Sequence, residues 1–268
     1  MKKVLSRLGK LLHDSRQGLI WIGVATAGMQ ALYISLFPSI ADSQVDFSQF
    51  TSTMPEGLVE ALGLTDADFT KFEVFMSAEM YSFFWAIVTM PFVISWGTRL
   101  IRDKYSGYIS LQIASGMKRM EVIAASYTEM AIKAFYAGMI LVVPSILFSP
   151  LIDVEIMQES WLKLGLMFSL ILYALGATTN TLSVLLKKPR AAVGIAAAIG
   201  VGSYFIHIIS TLNDDLENLK WLTPFYYYGN ATDILTGGSF PDNAVLVMSI
   251  FAVVITGIGV YMFSRVDI

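Results

Sequence analysis

The chain has 268 residues, of which 55% are hydrophobic and 15% charged, with a mean hydropathy of +0.63 and a formal net charge of −3. A soluble domain of this length would carry more charge, so the composition indicates a membrane protein. The sequence contains no cysteine and two histidines, which excludes disulfides, thiol nucleophiles, cysteine-ligated zinc and a multi-histidine metal site.

Residues 1–17 form a basic amphipathic segment with five lysines and arginines, one aspartate and leucines at helical spacing. We expect this segment to be a helix on the inner membrane face, and the alternative is a solvated basic tail. The apolar run 18–37 follows, and about 20 residues are enough to cross the hydrocarbon core. No clear small-residue cleavage site follows that run, so we predict an uncleaved first span rather than a secretory signal.

Five further apolar runs predict five more membrane-spanning helices. Their approximate bounds are 81–98, 124–148, 161–186, 191–209 and 244–263. Fourteen lysines and arginines fall in the predicted inner segments and three in the outer ones. The positive-inside rule therefore places both termini in the cytoplasm. We predict an all-α membrane protein with a single domain, residues 1–268, and six transmembrane helices.

The predicted outer segments have features of their own. Residues 38–78 form a short segment that is rich in acidic residues. Its length predicts a small folded outer loop without an independent core. The aromatic residues between Tyr81 and Trp85 lie at the outer mouth of the second span, where such residues usually form an interfacial belt. Residues 210–243 are apolar for a loop, so we expect re-entrant or interfacial helices there, with a loop packed on the bundle as the alternative.

The stretch from Arg99 to Glu121 is the basic loop between spans two and three. Gly107 and Gly116 bracket a helix-sized segment within it, because glycine tends to punctuate helices. An apolar stripe follows this segment at four-residue spacing, formed by Tyr105, Ile109, Ile113 and Met117, with Tyr108 and Met120 beside it. Either lipid headgroups or a cytoplasmic partner protein would cover such a face, and we favour a partner.

Two features within the spans have both a structural and a functional interpretation. Glu129 and Lys133 lie four residues apart in the third span, as a structural ion pair or as the charged lining of a transport pathway. Small residues recur at Gly194, Ala198 and Gly202 in the fifth span. We expect this stripe to pack within one subunit, with a subunit interface as the alternative.

The sequence contains no G-x-x-x-x-G-K-[ST] phosphate loop, no H-E-x-x-H motif and no G-x-S-x-G motif. We therefore expect a chain that is not itself an enzyme and holds no cofactor. Nothing in it indicates a nucleic-acid partner.

Together these features make the chain resemble type-2 ABC transporter permeases, the membrane subunits of many bacterial ABC exporters. The resemblance rests on the amphipathic N-terminal segment, the loop RDKYSGYISLQIASGMKRMEVIAASY, the TPFYYY stretch before the last span and the terminus YMFSRVDI. The loop departs from the family pattern at two places. Tyr105, Ser106 and Tyr108 stand where the family often has Glu and Thr around the first glycine, and Gly116 stands where it often has proline.

The resemblance implies a complex in the bacterial cytoplasmic membrane, in which two permease subunits pair and each docks a separate cytoplasmic ATPase that binds ATP and Mg. The helix at 107–116 would be a coupling helix that inserts into a groove of the ATPase. The implied coupling residues are Tyr105, Gly107, Tyr108, Ile109, Gln112, Ile113, Gly116, Met117, Lys118 and Arg119. Lys118 and Arg119 would pair with acidic residues of the partner or with lipid headgroups.

The sequence leaves the substrate open among drugs, peptides, lipids and ions. Two other functions fit the same pattern of spans. One is a non-transporting membrane anchor or sensor that recruits a cytoplasmic protein, and the other is a secondary transporter. Secondary carriers commonly contain internal repeats, and spans 1–3 and 4–6 show no convincing repeat.

Overall fold

The computed structural model of the chain describes residues 2–42, 59, 68–82, 84–186, 188–229, 231–238 and 240–266. The α-helices in this part of the chain are α1 (Lys2–Asp42), α2 (Phe72–Met76), α3 (Phe84–Gly97), α4 (Arg99–Tyr105), α5 (Tyr108–Ala114), α6 (Arg119–Ile140), α7 (Val143–Phe148), α8 (Gln158–Leu185), α9 (Pro189–Leu212), α10 (Ala231–Leu235) and α11 (Asp242–Arg265). A π-helical turn spans Ser77–Tyr81, and 3₁₀ turns span Ser149–Ile152, Asp214–Leu222 and Tyr226–Tyr228. Six helical stretches are long and apolar enough to cross a membrane, so the prediction of an all-helical protein with six candidate spans is confirmed.

Helix α8 lies at the centre of the bundle and packs against α3, α6, α9 and α11. In its most apolar stretch 67% of the residues are buried, against 17% in α9 and in α11. The close approach of α6 to α8 requires Gly138, because a Cβ atom there would lie 2.2 Å from the Ser169 hydroxyl and 2.6 Å from the Gly165 carbonyl oxygen. Helix α8 is therefore the core helix, while α9 and α11 present most of their apolar surface outward.

The N-terminal segment and the first span form one continuous helix, α1, of 41 residues. The predicted separate helix on the membrane face is therefore wrong, since neither Gln17 nor Gly18 interrupts the helix. A single interior glycine costs a helix only about 1 kcal/mol. At about 1.5 Å per residue α1 is roughly 60 Å long, about twice the ~30 Å hydrocarbon core. If its apolar run crosses a membrane, its basic end extends well beyond the hydrocarbon.

The predicted third span is broken between α6 and α7, because Pro144 has no backbone N–H to continue the helical hydrogen-bond ladder. The buried side chain of Gln30, on α1, forms hydrogen bonds with the backbone groups that the break leaves without a helical partner. Its Nε2 donates to the Ile140 carbonyl oxygen at 2.9 Å, and its Oε1 accepts from the Ser145 backbone N–H at 3.0 Å. The backbone groups at the break are thereby satisfied within the protein.

Aromatic side chains fill the core at the end of the bundle that the charge distribution assigns to the outside. The Trp85 ring contacts Phe168, Phe225 and Tyr228, with ring centroids 4.6–6.0 Å apart. The Tyr228 hydroxyl donates to the Tyr81 carbonyl oxygen at 2.8 Å. Tyr81 and Trp85 are both 0% exposed, so the prediction that they belong to an interfacial belt is wrong. They are core residues.

The segment after α9 folds back onto this aromatic core through short helical turns. Phe225 and Tyr228 are buried, whereas Tyr226 and Tyr227 between them are only half-buried, as the three-residue repeat of a 3₁₀ turn produces. The segment thus packs on the bundle, and its re-entry into a membrane stays a prediction. Most of the predicted outer loop 38–78, namely 43–58 and 60–67, lies outside the described residues.

The small-residue stripe of α9 does not pack within the chain as predicted. Gly194 and Ala198 are exposed, and apart from the adjacent backbone of α9 itself no atom of the described residues lies within 4 Å of a Cβ atom built at Gly194 or Gly202. The buried face of α9 lies elsewhere and includes Ala192, Ala196, Gly200 and Ser203. The prediction was wrong because four-residue spacing identifies a face of a helix but not the neighbour that it meets.

Candidate functional site

Helix α5 has seven residues and is delimited by two glycines. Gly107 precedes it at φ +76° and donates its N–H to the Lys104 carbonyl oxygen at 3.1 Å, which closes α4. Gly116 follows it at φ +84°, and the Met117 N–H donates to the Gln112 carbonyl oxygen at 3.1 Å, as in a Schellman motif. Both glycines adopt the left-handed region that other residues avoid, so the predicted helix between them is present.

Most of the apolar stripe faces the interior of the protein, and Tyr105 is its exposed member. Ile109 is 0% exposed, and Ile113 and Met117 are half-buried beside it. Their neighbours form an inner cluster of residues from α4, α6, α8 and α11, namely Leu100, Val122, Ile123, Tyr127, Ala177, Val184 and Phe263. The prediction that a partner protein covers the stripe is therefore wrong for Ile109, while coverage of the exposed Tyr105 by a partner stays a prediction. Periodicity reveals that a helix has an apolar face, but not what covers that face.

A different face of the same segment is open to a partner. Tyr105, at the end of α4, is 73% exposed, and Leu111, on α5, is 69% exposed. Ser110, Ala114 and Ser115 are exposed as well. We call these five residues the open face. Its two large apolar side chains offer the contact area that a docked protein could bury.

Three basic residues of α1 hold the segment 99–116 in place. The contacts are Lys3 Nζ to the Gly116 carbonyl oxygen (2.6 Å), Arg7 Nη2 to Asp103 Oδ2 (3.3 Å) and Lys10 Nζ to the Tyr108 hydroxyl (2.8 Å). Spacings of four and three residues place the basic side chains on one face of α1. Residues 1–17 were expected on the membrane surface, and these contacts were not predicted, although the spacing of the basic residues was a visible signal.

The remaining implied coupling residues differ in what they contact. Arg119 Nη1 donates to the Val266 carbonyl oxygen at 2.8 Å and thereby joins the start of α6 to the end of α11. Lys118 is exposed, whereas Gln112 is half-buried. Arg119 thus makes an internal contact, and Lys118 is the one of the two basic residues that is placed to reach a partner or a lipid headgroup.

A buried charge cluster lies where α1, α4 and α6 meet. Glu129 and Lys133 are 3% and 1% exposed and form the predicted i,i+4 ion pair. Lys133 Nζ also donates to the Ser15 hydroxyl at 2.6 Å. Arg99 adds a second cation, because its Nη1 lies 3.7 Å from Glu129 Oε1 while its Nη2 pairs with Asp14 Oδ2 at 2.7 Å. The pair is a packed contact between helices, and its part in a transport pathway stays a prediction.

The side chains that form ion pairs at this junction of helices carry three positive and three negative charges. The positive residues are Arg7, Arg99 and Lys133, and the negative residues are Asp14, Asp103 and Glu129. A buried charge without a partner costs several kcal/mol, so balance allows these groups to lie between helices. Glu129 and Lys133 could be identified from the sequence because they share one helix, whereas the other four could not, because their partners are distant in the chain.

Among the described residues, no three His, Asp or Glu side chains form a group that could hold a metal ion. Two features remain as candidates for a site. One is the open face, and the other is the buried charge cluster where α1, α4 and α6 meet. Comparisons with protein-family models, with curated proteins and with solved structures find no match to this chain. What the site does must therefore be inferred from its own residues.

Proposed function

We propose that the chain is the permease subunit of an ATP-driven exporter in the bacterial cytoplasmic membrane, and that a separate cytoplasmic ATPase docks on the open face. The observation that carries this proposal is the position of α5. It is a glycine-capped helix at the basic end of a bundle with six candidate spans, with Leu111 exposed and Ile109 anchored in the inner cluster. The positive-inside rule assigns this end to the cytoplasm, and the resemblance to type-2 ABC permeases supports the same assignment.

Helix α5 is well placed to pass a movement of the ATPase to the spans. Ile109 packs on the inner cluster, to which α4, α6, α8 and α11 all contribute, and Lys3 and Lys10 tie the same segment to α1. ATP and Mg bound by the ATPase would favour one position of the docked helix over another. That difference in binding free energy would shift the bundle between two arrangements, which alternating access requires.

A second permease subunit, the same or related, would cover surface that this chain leaves open. In the most apolar stretches of α9 and α11 only 17% of the residues are buried. The stripe containing Gly194 and Ala198 faces outward on α9. Small residues allow helix backbones to approach each other closely in a membrane, so we include a second subunit in the proposed complex.

Site-specific photo-crosslinking in native cells tests the proposal. A photoreactive amino acid replaces Leu111, and the control carries it at Leu5, which is 59% exposed on the basic part of α1. We expect position 111, but not position 5, to crosslink to a protein that contains a phosphate loop and hydrolyses ATP. Adducts with lipid alone, or with a protein that lacks a phosphate loop, would contradict the exporter. The second of these results would favour the anchor or sensor function.

A further inference from the structure

A cavity of about 650 Å³ lies at the end of the bundle opposite α5, between the 3₁₀ turns that follow α9 and the start of α11. Four aromatic side chains, Trp221, Tyr226, Tyr227 and Phe240, line it together with Asp242. Its volume falls in the range of small-molecule sites, about 300–1,000 Å³. This aromatic cavity is separate from both the open face and the buried charge cluster.

The aromatic rings of the cavity are held in place by the protein core. Phe225 and Tyr228, on either side of Tyr226 and Tyr227, are buried against Trp85. The Tyr227 hydroxyl donates to the carbonyl oxygen of Trp221 at 2.9 Å. The rings of Trp221 and Tyr226 lie 4.9 Å apart at 67°, an edge-to-face contact.

A cation of the chain itself, Lys220, lies beside two of these rings without lining the cavity. Lys220 Nζ lies 5.7 Å from the centre of the Trp221 ring and 5.4 Å from the centre of the Tyr226 ring. Both distances are within the range of about 6 Å at which an aromatic face attracts a cation. Lys220 pairs with Glu217 at the same time and lowers the pKa of that carboxyl through a hydrogen bond to it.

The charge around the cavity also favours a cation. Residues 210–243 carry five acidic residues and one lysine. Asp242 lines the cavity and is exposed, and no lysine or arginine in the described part of the chain pairs with it. A surface with an excess of one sign of charge raises the local concentration of ions of the opposite sign.

We infer that this cavity binds a quaternary ammonium group. A trimethylammonium cation cannot donate a hydrogen bond and is held by aromatic faces together with a nearby carboxylate, and the cavity offers both. Trp221 and Tyr226 would contact the cation, Asp242 would attract it, and the nearby positive charge of Lys220 would oppose it. The group could belong to a free small cation or to the headgroup of a phosphocholine lipid. This site is separate from the open face, and its occupancy does not depend on the proposed ATPase.

Equilibrium dialysis with radiolabelled choline tests the inference on the full chain, purified in a maltoside detergent without phosphocholine. We expect choline to bind, and its uncharged isostere 3,3-dimethylbutan-1-ol to compete at least about tenfold more weakly. Trp221→Leu and Tyr226→Leu should each weaken choline binding about tenfold, while Lys220→Gln should tighten it. Tyr261→Leu is the matched control, because Tyr261 is an exposed aromatic residue under Arg265 near the other end of α11.

The result is read only from variants that keep the elution volume and helical content of the parent, and the three cavity variants are independent of one another. Choline binding that is unchanged in Trp221→Leu and in Tyr226→Leu would overturn the inference, and so would equal competition by the uncharged isostere. Nanodiscs separate the two sources of the ligand. If free choline binds in phosphatidylglycerol discs but not in phosphatidylcholine discs, the headgroup occupies the site. If it binds equally in both, the ligand is a free cation.

Discussion

Two polar side chains of α1 form hydrogen bonds with residues of α6 and α7 that are distant in the sequence. Gln30 bridges the broken ladder at Ser145, and Ser15 accepts a hydrogen bond from Lys133. These partners are 115 and 118 residues apart in the sequence. The pairing of Lys133 with Glu129 could be predicted, because four residues on one helix bring two side chains together. Contacts between helices could not, because the pattern within one helix does not identify its neighbours.

Replacing Gln30 with leucine should destabilise the protein by about 2–4 kcal/mol, because it leaves the Ile140 carbonyl and the Ser145 N–H buried without partners. The measurement is the free energy of unfolding in mixed detergent micelles. Gln17→Leu is the control, since Gln17 is an exposed glutamine on the same helix, and it should change stability by less than about 0.5 kcal/mol. Equal stability of the two variants would show that Gln30 does not support the break.

Replacing Lys133 with methionine should lower the free energy of unfolding by about 3–5 kcal/mol, because Glu129 then lies buried with only the more distant Arg99. Lys163→Met is the matched control. Lys163 forms an i,i+4 pair with Glu159 at 2.7 Å, but this pair is exposed and should contribute less than about 1 kcal/mol.

Exchanging the two charges of the Glu129–Lys133 pair should not restore stability, because the lysine introduced at position 129 would face Arg99. A Lys133→Met variant that keeps full stability but loses transport would contradict a structural role. It would instead place the pair in the transport pathway.

At the scale of the secondary-structure element, the ends of α5 could be predicted from the sequence but its orientation could not. Its glycines could be predicted as boundaries, because a left-handed backbone conformation is a local property of the residue at that position. Its orientation could not be predicted, because Ile109 is buried only by virtue of the inner cluster contributed by four other helices. Leu111, two residues further along, has the same hydrophobic character and is exposed.

Aspartate substitutions on α5 should separate the buried face from the open face. Ile109→Asp places an unpaired carboxylate in the inner cluster, and we expect it to destabilise the bundle by several kcal/mol, on the order of 3–5. Leu111→Asp should leave the free energy of unfolding within about 0.5 kcal/mol of the parent, because position 111 is exposed. The measurement is unfolding in detergent for both variants, and the reverse order of stabilities would show that α5 is oriented the other way.

At the scale of the whole molecule, the six candidate spans could be predicted because each depends on about 20 consecutive apolar residues. The central position of α8 could not, since it depends on close approaches such as that of Gly138 to Ser169, which join separate helices. The same limit applies to the basic residues of α1. Their spacing is a local pattern, but their contacts with Asp103, Tyr108 and Gly116 are tertiary.

Single cysteines in this cysteine-free chain should test the orientation of the bundle in intact cells. Cysteine at Glu155 or Asp215 should react with a membrane-impermeant maleimide, because the acidic segments are predicted to lie outside. Cysteine at Ser106 or Lys188 should react only after the membrane is permeabilised. Labelling of position 106 in intact cells would reverse the predicted orientation and remove the open face from the cytoplasm.

The central claim is that an ATPase docks on the open face, and ATP hydrolysis by the complex that co-purifies with the tagged chain tests it most directly. The parent and Leu5→Asp should retain Mg-dependent ATP hydrolysis. Leu111→Asp should lose at least about tenfold of it while its free energy of unfolding is unchanged, because the introduced carboxylate would be buried without a partner in the docked state. Equal hydrolysis by Leu111→Asp and the parent, or none with the parent chain, would contradict the account.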